Sequence, residues 1–262
     1  MPFKDLDRVD LPAFIESERN EEALWLFMHI PKTAGSSFSE AMAASLSPYR
    51  NIEVDYRDGS RSFSEKISSA ANRFIDEAQS TRFRSASGHL TYDLVRRIRA
   101  SVENVKLITF LRDPVTRVIS DYRYQRTPMH PPYREFIEKF PTLLDYINFA
   151  PSQNTLLEYI CGREGSPSAS NAIDILDTDF CFVGLQEMYP FSYYTMMELF
   201  GASNARPVEH RRKTPDTPET EVEVTDDVIK LIRDNNAGDL EVFEHVRSRL
   251  MRHRNTFARI SG

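Results

Sequence analysis

Three short apolar runs, "ALWLFMHI" (23–30), "VKLITFL" (105–111) and "DFCFVGL" (179–185), constrain this chain most. Each is nearly continuous in hydrophobic residues and lacks the alternation of a strand with one wet face. Each also falls well short of the ~20 apolar residues that a membrane helix needs. Such strands must be covered on both faces, as in a parallel sheet between layers of helices. Weaker strand patterns are "NIEVDY" (51–56) and "RFRSASGH" (82–89).

Helical patterns fill the intervals. "SFSEKISSAANRFIDEAQ" (62–79) places Phe63, Ile67, Ala71, Phe74 and Ala78 at helical spacing. "LTYDLVRRIRA" and "YPFSYYTMMELFG" read as helices, and residues 112 to about 160 are helical between prolines 128, 131, 132, 141 and 151. Residues 225–254 open on a capping Thr225 and continue as helix, with a break near Asn235–Gly238. Strands alternating with helices predict an α/β fold, a parallel central sheet flanked by helices on both faces. A single domain over residues 1–262 is expected, with 1–22 an N-terminal extension and 225–258 a C-terminal helical segment.

Composition narrows the function classes. With 33 Lys and Arg against 39 Asp and Glu, the formal charge is −6, which argues against a protein that coats nucleic acid. Cys161 and Cys181 are too few for a disulfide framework and match no metal-ligand spacing. They are expected as small buried side chains in a reducing compartment. The opening "MPFKDLDRVDLPAFIESERNEE" is charged throughout and has no apolar core of a signal peptide. A cytoplasmic protein without a membrane span is the expectation.

In a doubly wound sheet, ligands sit at the carboxyl ends of the strands. Two segments there carry the chemistry. The first, "HIPKTAGSSF" (29–38), turns from a strand into a helix. Small residues at Thr33, Ala34, Gly35, Ser36 and Ser37 let unpaired N–H groups approach an anion closely. Their hydroxyls add donors, or cap the helix at Ser36 and Ser37. Lys32 adds a point charge. The spacing is P-loop-like but is not GxxxxGK[ST], because no first glycine exists and the lysine precedes the turn. Taken alone, the segment reads equally well as a capped turn with a surface lysine.

The second segment is "ITFLRDPVTRVISDYRY" (108–124). Asp113 is placed to cap a helix and Pro114 to occupy its first position. Arg112 falls at the strand tip, and Thr116 and Ser120 lie four residues apart on one helical face. Arg112 and Ser120 can therefore converge on a second anion. In isolation an arginine satisfying helix-end carbonyls and a solvent-facing serine explain the same residues. Two anion sites on neighbouring strand ends suit a nucleotide with two separated phosphates.

Together the two segments resemble the paired 5′- and 3′-phosphate motifs of sulfotransferases that use 3′-phosphoadenosine-5′-phosphosulfate (PAPS). The nearest resemblance is to the branch containing the heparan sulfate 2-O- and 6-O-sulfotransferases and their bacterial relatives. "SGHLTYD" (87–93), "QNTLLEYICG" (153–162), "FVGLQEMYPFSYYTMMELFG" and "LIRDNNAGDLEVFEHV" extend it loosely to about residue 250.

The resemblance implies the sulfotransferase fold and transfer of a sulfuryl group to an acceptor hydroxyl, with adenosine 3′,5′-bisphosphate as product. It implies Lys32 and the N–H groups of residues 33–37 at the 5′-phosphate, Arg112 and Ser120 at the 3′-phosphate, and His89 as the base. Arg117 matches a further motif position, and could equally pair with Asp113 or Asp121. Arg212, Lys213 and Thr214, in "EHRRKTPDTPE", fall where the family closes a loop over the nucleotide, although the usual Asn-x-Ser/Thr is missing.

No metal is implied. A glycan or sugar-containing acceptor is favoured, with a small alcohol, phenol or lipid headgroup as the alternative. Two readings from other classes are a nucleotide kinase and a non-catalytic protein that binds the bisphosphate nucleotide. Among the other histidines, His29 is expected to brace the first loop, and His130 and His210 to lie in loops where they could touch an acceptor. His245 and His253 are expected at the surface.

Overall fold

The structure, a computed structural model, describes residues 1–55, 60–130, 132–162, 166–202, 214–215 and 217–257. After a 3₁₀ turn at Phe3–Asp7 the order is α1 (Leu11–Glu18), β1 (Leu24–Met28), α2 (Gly35–Ser45), β2 (Tyr49–Ile52) and α3 (Phe63–Ala78). Then come β3 (Ser85–Gly88), α4 (Tyr92–Ser101), β4 (Val105–Leu111), α5 (Pro114–Gln125), α6 (Tyr133–Lys139) and α7 (Leu143–Ile147). The chain continues through α8 (Thr155–Cys161), α9 (Ala169–Asp179), β5 (Phe180–Leu185), α10 (Tyr189–Leu199), α11 (Asp226–Asn235) and α12 (Ala237–Phe257).

The five strands form one parallel sheet in the order β2-β3-β1-β4-β5. The chain first winds outward to one side of β1, then returns to build β4 and β5 on the other. The direction reverses between β1 and β4, so a crevice opens beyond their carboxyl ends. All five β1 residues are buried, as the continuous apolar run predicts. Phe38 of α2 meets the rings of Tyr193 and Phe200 at the α10 end, joining α2 and α10 into one layer on the sheet. A second, smaller core of Val115, Val118, Tyr122, Phe136, Phe140 and Ile232 binds α5, α6 and α11 together.

Three expectations shift. The second strand starts at Tyr49, two residues earlier than expected, and ends at Ile52, because β3 offers only Ser85–Gly88 as ladder partners; Tyr56 lies outside the described residues. Ser36 and Ser37 lie inside the first turn of α2 rather than at its cap, which is Ala34 in a left-handed conformation (φ 69°) with no side-chain bond. Residues 1–22 pack into the core: Asp10 caps α1, and the fully buried Phe3 meets Phe182 edge-on at 5.9 Å.

Near the C-terminus, Thr225 caps α11 by accepting from Val228 N–H, and the break falls at Asn236. His253 is not at the surface: it is 9% exposed and its Nε2 donates to the Leu6 carbonyl at 2.8 Å. His245 is half-buried and bonds to Asp177 at 3.1 Å. Both cysteines are free and buried.

Candidate active site

A cleft of about 410 Å³ lies at the strand-order reversal, within the size range of nucleotide and cofactor sites. The first loop, the start of α2, the inner face of α5 and the end of β3 supply its walls. Lys32, Ala34, Gly35, Ser36, Ser37, His89, Arg112 and Ser120, all marked out by the sequence, line it. Thr33 does not. It is fully buried, and its hydroxyl donates to the Ile30 carbonyl at 2.8 Å, bracing the loop from within. Thr214 is half-buried and absent from the cleft walls. Arg212, Lys213 and His210 lie outside the described residues.

The loop achieves its shape without glycine where the backbone turns. Lys32 (φ 68°) and Ala34 (φ 69°) both adopt the left-handed region, at a cost of about 1–2 kcal/mol each for a residue with a Cβ. Strain of this kind persists only where the surroundings enforce it, and it concentrates at ligand clamps. Its result is that the chain enters α2 with the N–H groups of Gly35, Ser36 and Ser37 unspent on any protein acceptor among the described residues. Those groups and the helix dipole favour an anion at this end of the cleft.

Lys32 is the cation beside them. Its ammonium sits 3.9 Å from the centroid of the Tyr124 ring. Burial lowers its pKa to about 8, with Asp121 opposing the shift and Arg112 adding to it. Arg112 ties the two loops together. Its Nη1 donates to the Lys32 carbonyl at 3.2 Å, and its Nε donates to Thr116 Oγ1 at 3.0 Å. Asp113 caps α5 by accepting from Thr116 N–H at 2.9 Å, with Pro114 first in the helix, so the strand tip and helix entry are fixed.

His89 follows Gly88, where an added Cβ would lie 2.6 Å from the Ile52 carbonyl, so only glycine lets β3 end this close to β2. His89 Nδ1 lies 2.9 Å from the His29 carbonyl oxygen. A carbonyl only accepts, so Nδ1 carries the proton and Nε2 is left as the acceptor nitrogen. The His89 and His29 rings are in contact, tilted 30° with centroids 4.2 Å apart. Burial lowers the His89 pKa, partly countered by the His29 bond and by Asp121, which favours the neutral ring near pH 7.

Several lining residues were not singled out by sequence reasoning. Tyr124 follows Ser120 by four residues on the same face of α5, so extending the Thr116–Ser120 spacing one more turn reaches it. Asp121 and Gln125 lie one residue further round. Tyr159 and Gln186 come from remote segments, and nothing local in the sequence marks them. Phe63, placed by its spacing on the apolar face of α3, is instead exposed at the start of that helix and lines the cleft, as does His130.

Arg117 is not among the residues that line the cleft. It is wholly buried, with Nη1 3.9 Å from Asp121 and Nη2 3.5 Å from the Ser152 carbonyl. Asp121 is further held by the Tyr146 hydroxyl at 2.7 Å.

Residues 19–159, more than half of the chain, match the model of a sulfotransferase family. A crystal structure of mouse sulfotransferase SULT7A1 complexed with PAP is similar at TM-score 0.39 and 15% identity, over 88% of this chain and 70% of that one. No curated protein matches the chain. With strand, loop and helix carrying the cleft inside the matched span, the chain belongs to the sulfotransferase family.

Proposed function

We propose that the enzyme transfers a sulfuryl group from PAPS to an acceptor hydroxyl, on a sugar-containing molecule, and releases adenosine 3′,5′-bisphosphate. The observation that carries the reading is the Arg112 bond to the Lys32 carbonyl. It joins two anion-attracting loops into one cleft, at whose edge His89 presents an acceptor nitrogen. PAPS supplies the sulfuryl group and, in its 5′-phosphate, the leaving group.

The chain's own residues then divide the work. Lys32 and the N–H groups of Gly35, Ser36 and Ser37 hold the 5′-phosphate and receive the charge that develops on its departing oxygen. Fixed donors aimed at developing charge stabilise the transition state more than the ground state. Arg112 and Ser120 hold the 3′-phosphate, the group that ATP lacks. His89 Nε2 takes the acceptor proton as the acceptor oxygen bonds to sulfur.

Thermal unfolding tests the nucleotide assignment. Adenosine 3′,5′-bisphosphate is expected to raise Tm strongly, with a much weaker effect from ATP and magnesium. Equal stabilisation by the two would sink the reading.

A further inference from the structure

We infer that Tyr124 is the positioning residue for Lys32: the face of its ring seats the ammonium where the 5′-phosphate will meet it, before the nucleotide arrives. The inference rests on the sulfuryl-donor reading and adds a residue to it. Lys32, Tyr124 and the helix start at Gly35, Ser36 and Ser37 line one cleft, and Lys32 Nζ lies 3.9 Å from the ring centroid. That is close contact for a cation on an aromatic face.

The lysine is gripped at both ends. Its backbone is held in the left-handed region, and its carbonyl accepts from Arg112 Nη1 at 3.2 Å. Its ammonium forms no salt bridge with a described carboxylate, and Asp121 attracts it only from farther off. The ring is fixed as well. The Tyr124 hydroxyl donates to the Met129 carbonyl at 3.3 Å, and Thr127 Oγ1 donates to the Tyr124 carbonyl at 2.7 Å, so the turn after α5 folds back against the tyrosine. His130 flanks the ring at 5.9 Å between centroids. Burial lowers the His130 pKa, which favours a neutral imidazole near pH 7 and leaves Lys32 without a competing cation there.

A carboxylate in the same place would hold the lysine equally well, but it would neutralise the ammonium and repel the phosphate. A ring face orients the ammonium and leaves its net charge intact for the departing oxygen. A free lysine has many rotamers, and holding it in advance removes that ordering cost from the binding step. Tyr124 stands one turn beyond Ser120 on α5. One rigid helix therefore sets the spacing between the seat of Lys32 and the serine assigned to the 3′-phosphate.

The test is a ring series in the full chain, read by calorimetric binding of adenosine 3′,5′-bisphosphate at pH 7. Tyr124→Phe keeps the aromatic face and should bind within about threefold of the unaltered enzyme. A phenylalanine fluorinated at three ring positions, installed at position 124, keeps the shape and drains the negative face. It should bind roughly fivefold or more weakly than Tyr124→Phe. In a Lys32→Met background the two rings should bind within about twofold of each other, because neither has a cation to seat.

A fluorinated ring that binds as well as Tyr124→Phe, or better, would overturn the inference and leave the donor reading standing. So would a loss on fluorination that persists in Lys32→Met, which would put the ring against the nucleotide itself. Failure of the unaltered enzyme to bind the bisphosphate would overturn the donor reading, and this inference with it.

Discussion

Gly35 lies directly against the imidazole of His29: a Cβ on the glycine would stand 2.0 Å from His29 Cδ2. The ring has little room to retreat, since Phe27 stacks beside it at 5.4 Å between centroids and His89 lies against it at 4.2 Å. The single glycine of the loop thus serves side-chain packing, while Lys32 and Ala34 take the unusual backbone angles. Gly35→Ala should displace His29 and, through it, the ring and carbonyl contacts of His89. Overpacking of this kind costs about 1–3 kcal/mol. We expect a lower Tm together with a drop in transfer of at least a hundredfold, read by thermal unfolding and labelled-PAPS turnover.

Replacing His89 separates binding from chemistry. His89→Gln should bind adenosine 3′,5′-bisphosphate within about twofold of the unaltered enzyme, while kcat falls by roughly 10²–10⁴, the usual contribution of a positioned base. Near-normal turnover in this variant would remove His89 from the mechanism.

Lys32 sets a pH limit on nucleotide affinity. Its pKa in the free protein is about 8, and a bound phosphate favours the charged form and raises it. Affinity is therefore fully present below pH 8 and is lost as pH rises from there toward the bound-state pKa, by up to tenfold per unit. Isothermal titration of the bisphosphate between pH 6.5 and 9.5 should show that decline, with proton uptake on binding above pH 8. In Lys32→Met both the decline and the uptake should vanish.

The backbone strain in the first loop can be relieved without touching a charge. Ala34→Gly removes a Cβ from the left-handed region, worth about 1–2 kcal/mol, against about 0.5–1 kcal/mol for the freer unfolded chain. A net gain of about 0.5–1 kcal/mol in chemical denaturation is expected, with bisphosphate binding retained. Destabilisation would mean that the Ala34 methyl group contributes packing that outweighs the strain.

Arg117 holds a buried charge arrangement beneath the cleft. Near it, Asp239 accepts from the N–H groups of Leu156 and Leu157 at 2.9 Å, and burial pushes the Asp239 carboxyl up to about 6 despite the guanidinium. Arg117→Met leaves Asp239 and Asp121 without that cation. Removing one partner of a buried pair typically costs about 3–5 kcal/mol, and urea unfolding should show a loss of that order.

Local patterns carried much of this molecule. The three apolar runs became β1, β4 and β5 because buried parallel strands need no alternation, and Asp113-Pro114 and Thr225 opened helices where caps belong. The lining positions of Lys32, Arg112, Ser120 and His89 followed from strand ends in one sheet converging on one crevice.

What stayed hidden was long-range or conformational. Nothing near Thr33 signals that its hydroxyl turns inward to Ile30, and the left-handed angles at Lys32 and Ala34 contradict the habit of reading such turns from glycine. The charged opening of the chain looked peripheral. Its apolar residues Phe3, Leu6, Leu11 and Phe14 are too sparse to form a pattern, yet all are fully buried.

That burial bears on how the molecule is made. Arg249 in α12 donates to Asp7 at 2.9 Å across 242 residues of chain, and His253 reaches the Leu6 carbonyl. During vectorial synthesis the first apolar turns leave the ribosome long before the helix that seals them exists. Ribosome-bound chains stalled before Ala237 should therefore be cut faster by protease at residues 3–18 than the complete chain, because β5 and α10 cover those residues only in part until α12 adds its contacts. The last long helix of the fold is the latch for its first.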